Sequence, residues 1–271
     1  MHKDSYLKEL FIDGKQKRGG NNNKIDVLKI QSWLTLYDIN NPGSGMTTGI
    51  DGDFGAATEQ SVKRFQKAES LPIDGIVDSD VFEKLSKPLK TAFETPLIGF
   101  EIRELILNAA NLHLHANPYE LTIDGNSNSG PWVRSYMDGH EGEDWFWCMG
   151  FVQTIVDQAA SMIAKNFESI MPLTYSCDTV AMTGIRNGNL LRFEEVQDDP
   201  TKVSPGDIFL VQKSPSDWTH TGIIISVGDE TFETIEGNTN NDGSHNGNRV
   251  CKRIRNFMNS KLDVFSIEAL V

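Results

Sequence analysis

The sequence predicts an α+β protein: a small three-helix domain at the N-terminus, then a larger domain with an antiparallel sheet. Three observations carry this. Apolar residues recur at helical spacing between residues 25 and 87, and again from 101 to 163. Beyond residue 204 the pattern changes to Ile-rich runs bounded by Gly, Pro and Asp, as strands and turns require. The charge is divided too: residues 1–92 hold 13 basic and 13 acidic side chains, so the whole net charge of −13 falls on residues 93–271. Two stretches so unlike in charge read as two domains.

Residues 1–24 end in KQKRGGNNNK, a run that reads as a flexible lead-in. From Ile25, the spacing of Ile25, Leu28, Gln31 and Leu34 predicts a first helix. A second spans 58–68 with Thr58 as its N-cap, and a third spans 79–85, capped by Asp78 or Ser79. Ile50-Asp51-Gly52 and Ile73-Asp74-Gly75 precede the second and third helices as a weak repeat. Each predicts a turn with Gly where the backbone must be permissive and Asp bonding nearby amides. A two-proline linker follows at 88–96. Residues 101–114 are helical, and 122–130 (TIDGNSNSG) read as a polar loop. Its alternating Asp124, Asn126 and Asn128 do not make a calcium loop, because Gly is missing at the sixth position and Ser135 holds the twelfth. Residues 148–163 carry an apolar stripe wide enough for a core helix. The runs 219–227 (THTGIIISV) and 231–235 (TFETI) predict a hairpin.

Composition excludes some partners. An acidic chain has no basic face for nucleic acid. The apolar runs fall far short of the ~18 residues a spanning helix needs, so membrane insertion is not expected. The first 20 residues have no apolar core and no small-residue cleavage site, so no secretory signal is read. Three cysteines, Cys148, Cys177 and Cys251, make neither a disulfide framework nor a CxxC pair. One thiol is free for chemistry.

Cys148 is the candidate. It opens its helix, where unpaired amides and the helix dipole favour a thiolate and can hold an oxyanion. Glu141, Glu143 and Asp144 just upstream favour the protonated thiol, so a basic partner is needed. Of the six histidines, His113 and His115 stand two apart on or just after a helix, and His2, His140 and His245 fall in polar surroundings. His220 stands at a strand end, where a scaffold can aim an imidazole. Hairpin parity then makes a test. A two-residue turn would set His220 opposite Gly237 and send Glu236 and Asn238 to the other face. A three-residue turn or one bulge sets His220 opposite Asn238 and diagonal to Glu236. The second register is expected if the three residues act together. Cys177 has no histidine near it in sequence and reads as structural; a Cys177–Cys251 pairing stays open.

Two resemblances follow from longer patterns. Ile30-Gln31, Asp51–Thr58, Phe65-Gln66 and Asp74–Val77 resemble the three-helix peptidoglycan-binding domain found beside cell-wall hydrolases, over residues 25–87. The sequence departs from that family at Asp78, where Gly is usual, and in a longer loop at 40–48. The resemblance implies Asp51, Gly52, Phe54, Gly55, Thr58, Phe65 and Gln66 as substrate-binding positions. Over 97–271, Trp147-Cys148, then SPGDI at 204–208, HTGI at 220–223 and TIEGNTN at 234–240 are similar to the CHAP family, cysteine- and histidine-dependent amidohydrolases with a papain-like fold. That likeness implies Cys148 as nucleophile, His220 as base and Glu236 as the group that fixes the imidazole, with Asn238 helping or replacing it. Trp147 joins the substrate-binding set.

Together the resemblances imply a peptidoglycan hydrolase cleaving an amide through a thioester, either N-acetylmuramoyl–L-alanine or a stem-peptide or crossbridge bond. A monomer needing no cofactor is expected, although some CHAP domains bind calcium just before the cysteine, here at Asp138, Glu143 and Asp144. An inhibitor or immunity protein is a conceivable partner. Without a signal peptide, release by a holin or by contact-dependent secretion would bring the protein to the wall. Two alternatives stay open: an inactive wall binder, and a Cys–His deamidase or amidase on a non-wall substrate.

Overall fold

The structure, a computed structural model, describes residues 1–240 and 247–270. His245 therefore lies outside the described residues. Helices and an antiparallel sheet coexist, so the α+β class is borne out. The chain packs as two compact units: Asp4–Thr91 with Tyr119–Asp144, and Met1–Lys3 with Ala92–Pro118 and Trp145–Val271.

The first of these contains helices α1 (Lys24–Asn40), α2 (Ala56–Ala68) and most of α3 (Ser79–Glu94). Asn23 caps α1 by accepting from the amides of Ile25 and Asp26. Val27, Ile30, Leu34, Val62, Phe65 and Phe82 close the bundle core. Gly55, not Thr58, is the N-cap of α2; Thr58 is buried and accepts a hydrogen bond from Gln31 instead. Asp78 accepts from the Val81 amide and so serves the start of α3. That helix runs through the segment where two prolines predict a linker, with Pro88 inside it. Leu89, Ala92 and Phe93 are buried, and their packing outweighs the one hydrogen bond that proline forfeits.

Residues 1–24 are built into the structure, contrary to the flexible lead-in that their composition predicts. Ser5–Glu9 form a 3₁₀ helix, Gln16 and Val77 exchange both backbone hydrogen bonds at 2.9 Å, and buried Glu9 takes a two-pronged ion pair from Arg134 at 2.8 and 2.7 Å. The expected loop at 122–130 is a small hairpin, β1 (Leu121–Ile123) with β2 (Asn126–Ser129). Asp124 and Gly125 both take positive φ, 51° and 81°, as a tight two-residue hairpin turn needs. Short helix α5 (Pro131–Tyr136) follows.

The second unit holds α4 (Ile102–Ala116), α6 (Cys148–Met162), α7 (Cys177–Asn187), α8 (Phe193–Asp198) and a six-stranded sheet. Its strands are β3 (Leu190–Leu191), β4 (Ile208–Ser214), β5 (Asp217–Val227), β6 (Thr231–Thr239), β7 (Arg249–Asn256) and β8 (Leu262–Phe265), ordered β3-β8-β4-β5-β6-β7 and antiparallel in every pair. Phe209, Ile224, Phe232, Phe257 and Val264 form one core cluster with Val196 of α8. α6 is buried along nearly its whole length. The first residues of the chain are anchored to it, with the amides of His2 and Lys3 donating to the Asp157 carboxylate at 3.1 and 2.9 Å. Gly237 lets α6 approach β6: a Cβ there would lie 2.7 Å from Cβ of Phe151. Among the described residues no helix is long and apolar enough to cross a membrane.

Candidate active site

The β5–β6 hairpin sets the site. Val227 pairs with Phe232 across a four-residue turn, and a bulge between Ile224 and Ser226 then shifts the register, so that Ile224 faces Thr234 and Ile223 faces Ile235. One step further in, Gly222 lies against Glu236. The parity expected from sequence is thus met, by a bulge rather than by a three-residue turn. Without the bulge every side chain beyond it would change face.

His220 and Glu236 are both fully buried and joined, with Nε2 2.8 Å from Oε2. Gly222 makes room for this pair, since a Cβ at that position would lie 2.8 Å from Cγ of Glu236. Arg255 closes the network from β7. Its Nε donates to Oε1 of Glu236 and its Nη2 to Oε2, each at 2.6 Å. The guanidinium lies over the Phe209 ring, 4.5 Å from its centroid, and Thr234 Oγ1 donates to Oε1 at 2.6 Å. Burial alone would raise the Glu236 carboxyl, but the hydrogen bonds and charges of His220 and Arg255 prevail and hold it at about 2. The carboxylate is ionised and doubly counter-charged, which is how a buried acid is tolerated.

Cys148 is the first residue of α6 and is almost wholly buried. The Cys177 thiol, the His220 imidazole with its charge, and the Met149 amide together outweigh burial and push the Cys148 thiol well below its usual range. Burial pulls the His220 imidazole down, but the nearby Cys148 and the Glu236 carboxylate raise it above its ordinary value. With Nε2 engaged by Glu236, Nδ1 is the nitrogen left for the sulfur. The arrangement favours a thiolate–imidazolium pair.

Asn238 takes a different place from the one its position in TIEGNTN suggests. Its Oδ1 accepts from the Trp147 amide at 3.0 Å and its Nδ2 donates to the Gly247 carbonyl at 2.7 Å. Trp147 is the N-cap of α6 and has no side-chain cap of its own. Asn238, at φ 54°, holds the Trp147 amide from β6 and so ties the start of the cysteine helix to the histidine's neighbouring strand.

Sequence reasoning missed two residues here. Arg255 carries a trace, since VCKRIR alternates and puts Arg255 across the ladder from Phe232. Cys177 carries none: it opens α7, 29 positions on in sequence, and only the tertiary fold brings it to Cys148. All three cysteines are free thiols, and Cys251 stands in β7 opposite Glu236.

In the other unit the two Asp-Gly turns share one construction. Gln31 Nε2 donates to Asp51 Oδ1, to the Asp53 carbonyl and to Thr58 Oγ1, while its Oε1 accepts from the amides of Asp51 and Gly52. Gln66 repeats this with Asp74, the Ile76 carbonyl and the Gly75 amide. Gly52 and Gly75 take φ of 77° and 75°. Asp51 and Asp74 bond the amides two residues on, as the repeat predicts. Of the positions expected to touch substrate, Phe54, Thr58, Phe65, Gln66 and Trp147 are buried and build the interior; Asp51, Gly52 and Gly55 reach the surface.

Residues 23–85 match the family described as "Putative peptidoglycan binding domain", so the expected N-terminal module is borne out. A 44-residue stretch is 48% identical to the zinc D-Ala-D-Ala carboxypeptidase of Streptomyces albus G. The match covers 16% of this chain and 17% of that protein. No solved structure matches the chain. The expectation of a cofactor-free protein is corrected by this relative, which is a zinc enzyme by name. The residues described here do not fit the metal, however. Among them no group of three or more His, Cys, Asp and Glu is placed to hold an ion, Asp138, Glu143 and Asp144 included. Buried His113 faces the Gln158 amide at 3.2 Å.

Proposed function

We propose that the protein is a cell-wall hydrolase whose second unit is a CHAP-type cysteine amidase or endopeptidase, tethered to peptidoglycan by residues 23–85. What supports this reading is the buried His220–Glu236 pair together with Cys148, a thiol at a helix start that the imidazole pushes toward the thiolate, in a chain that also bears a peptidoglycan-binding module. Tethering raises local substrate concentration on a fixed polymer, so the small domain need not bind tightly.

In this mechanism the Cys148 thiolate attacks an amide carbonyl, and first-turn amides of α6 stabilise the oxyanion. The His220 imidazolium gives its proton to the departing amine, leaving a thioester on Cys148. Neutral His220 then takes a proton from water, hydroxide attacks the thioester, and the acid product leaves with the thiolate–imidazolium pair restored. Glu236 keeps the imidazole's tautomer and charge in place throughout. Arg255 keeps Glu236 ionised and so acts through it as a positioning residue.

The test is digestion of purified peptidoglycan by the wild type, Cys148→Ala and His220→Ala, with released fragments and new amino ends identified by mass. New ends from the wild type, lost in both variants, are expected; their sequence also names the bond cut. Absence of new ends from a folded wild-type protein overturns the reading.

A further inference from the structure

Cys177 is a buried thiol that the mechanism above does not use, yet it is held against the sulfur that the mechanism needs. The segment leading to it packs on the segment leading to Cys148, with the Tyr175 and Trp145 rings edge-on and their centroids 5.8 Å apart, and its place is fixed from two further sides. Buried Gln153, on α6, donates to the Pro172 carbonyl at 2.8 Å and accepts from the Thr174 amide at 3.1 Å, gripping the segment that leads into α7. Asp178, next to Cys177, accepts from the Trp218 amide at 2.6 Å, two residues before His220. Each cysteine opens its own helix, and these contacts hold the two helix starts against one another, with each thiol acting on the other's ionisation. A structural thiol needs only apolar neighbours; this one faces a second, activated sulfur.

We propose that Cys148 and Cys177 are a peroxide modification site, closing to a reversible disulfide with Cys148 as the sulfur oxidised and Cys177 as the resolving thiol. The Cys148 thiolate attacks one oxygen of hydrogen peroxide, the O–O bond breaks, and the displaced hydroxide takes a proton to leave as water. The Cys177 sulfur then attacks the sulfenic sulfur; the S–S bond forms, the S–O bond breaks, and hydroxide departs with the Cys177 proton as a second water. Two thiols are oxidised and one peroxide is reduced. Before oxidation, the nearby Cys148 and burial keep Cys177 protonated and inert. Neutral sulfenic acid removes the thiolate charge and frees Cys177 to react. A dithiol reductant reverses the bond. The loss of hydrolysis on oxidation rests on Cys148 being the nucleophile, whereas the bond itself does not.

Two measurements test this on the full chain. Intact mass and non-reducing peptide mapping after brief hydrogen peroxide treatment should show a Cys148–Cys177 crosslinked peptide, absent after dithiothreitol and unchanged in Cys251→Ser. Cys177→Ser and Cys177→Ala should give no crosslink. In them Cys148 should instead be trapped as sulfenic acid by dimedone and advance to sulfinic acid. A wild-type protein in which Cys148 reaches sulfinic acid while Cys177 stays reduced overturns the proposal, as does a crosslink joining either cysteine to Cys251. These readouts need no turnover, so a crosslink in a protein that releases no wall fragments would sink the hydrolase reading and leave this one standing.

Discussion

Gly222→Ala is the sharpest perturbation of the site, because it adds one methyl group and removes nothing. A Cβ at residue 222 would lie 2.8 Å from Cγ of Glu236, 2.8 Å from Cε1 of Phe209 and 2.9 Å from the Ile235 carbonyl oxygen. Carbon contacts are comfortable at about 3.5–4.0 Å, so each neighbour must retreat by more than about half an ångström. None can do so easily. Phe209 and Glu236 are fully buried, Glu236 is clamped by His220 and Arg255, and the third atom is backbone in the ladder. Two gains oppose the clash: a stiffer unfolded chain, worth about 0.4–1 kcal/mol, and one more buried carbon, about 0.8 kcal/mol. Overpacking of rigid cores nevertheless costs about 1–3 kcal/mol in net measurements, and here it also pushes Glu236 off its partners. We expect the upper half of that range. The assay is amide hydrogen exchange, with β4–β6 amides opening more easily and α1–α2 amides serving as an internal control. Unchanged or slower exchange in β5 and β6 would refute the packing argument that places Gly222 against Glu236.

Four further outcomes follow, three from the Glu236 network and one from the Asp-Gly turns. Glu236 is held at about 2 instead of 4.5, which corresponds to roughly 3 kcal/mol between its protonation states. A depressed acid stabilises the fold above pH 4.5 and loses that contribution as pH falls toward 2, so the wild type's margin over Glu236→Gln in exchange-derived stability should shrink across that window; a constant margin would count against it. His220, raised above 6.5, works oppositely: its contribution is present below 6.5 and fades as pH rises through the folded value, so His220→Gln should cost less at alkaline pH. Arg255→Met strands a buried carboxylate and should cost about 3–5 kcal/mol, while Arg255→Lys, lacking the fork, should fall between that and the wild type on urea denaturation followed by sheet-specific exchange. Gln31→Ala removes the grip on the 51–53 turn and its hydrogen bonds to the Asp51 and Gly52 amides, at about 1–3 kcal/mol in all; Gln66→Ala should resemble it, and a melting profile unchanged by either would dismiss the shared construction.

Local chemistry decided what could be read directly. Helical periodicity located α1, α2, α4 and α6 because an amphipathic stripe is a property of neighbouring residues, and the same holds for the Ile-rich β5. The Asp-Gly turns were legible since positive φ favours glycine over nearly every other residue. Cys148 could be named because it opens a helix, and His220 and Glu236 because hairpin parity and a motif order resembling a known family single them out, although His220 lies inside β5 and not at its end. Composition misled where it stood in for packing. KQKRGGNNNK is polar, yet Gln16 is paired into a bridge, and the proline-marked segment at 88–94 is helix because its apolar residues are buried by distant partners.

The residues around the catalytic candidates were set by contacts far apart in sequence. Cys177 reaches Cys148, Arg255 clamps Glu236, and Asn238 holds the amide before the cysteine helix, each across 19 or more residues that no periodicity links. Sequence by itself thus determined which groups have the right chemistry and which short elements carry them. Tertiary structure alone decided which of those groups share a desolvated space, and therefore which sulfur is ionised, which carboxylate is counter-charged and which second thiol stands beside the first.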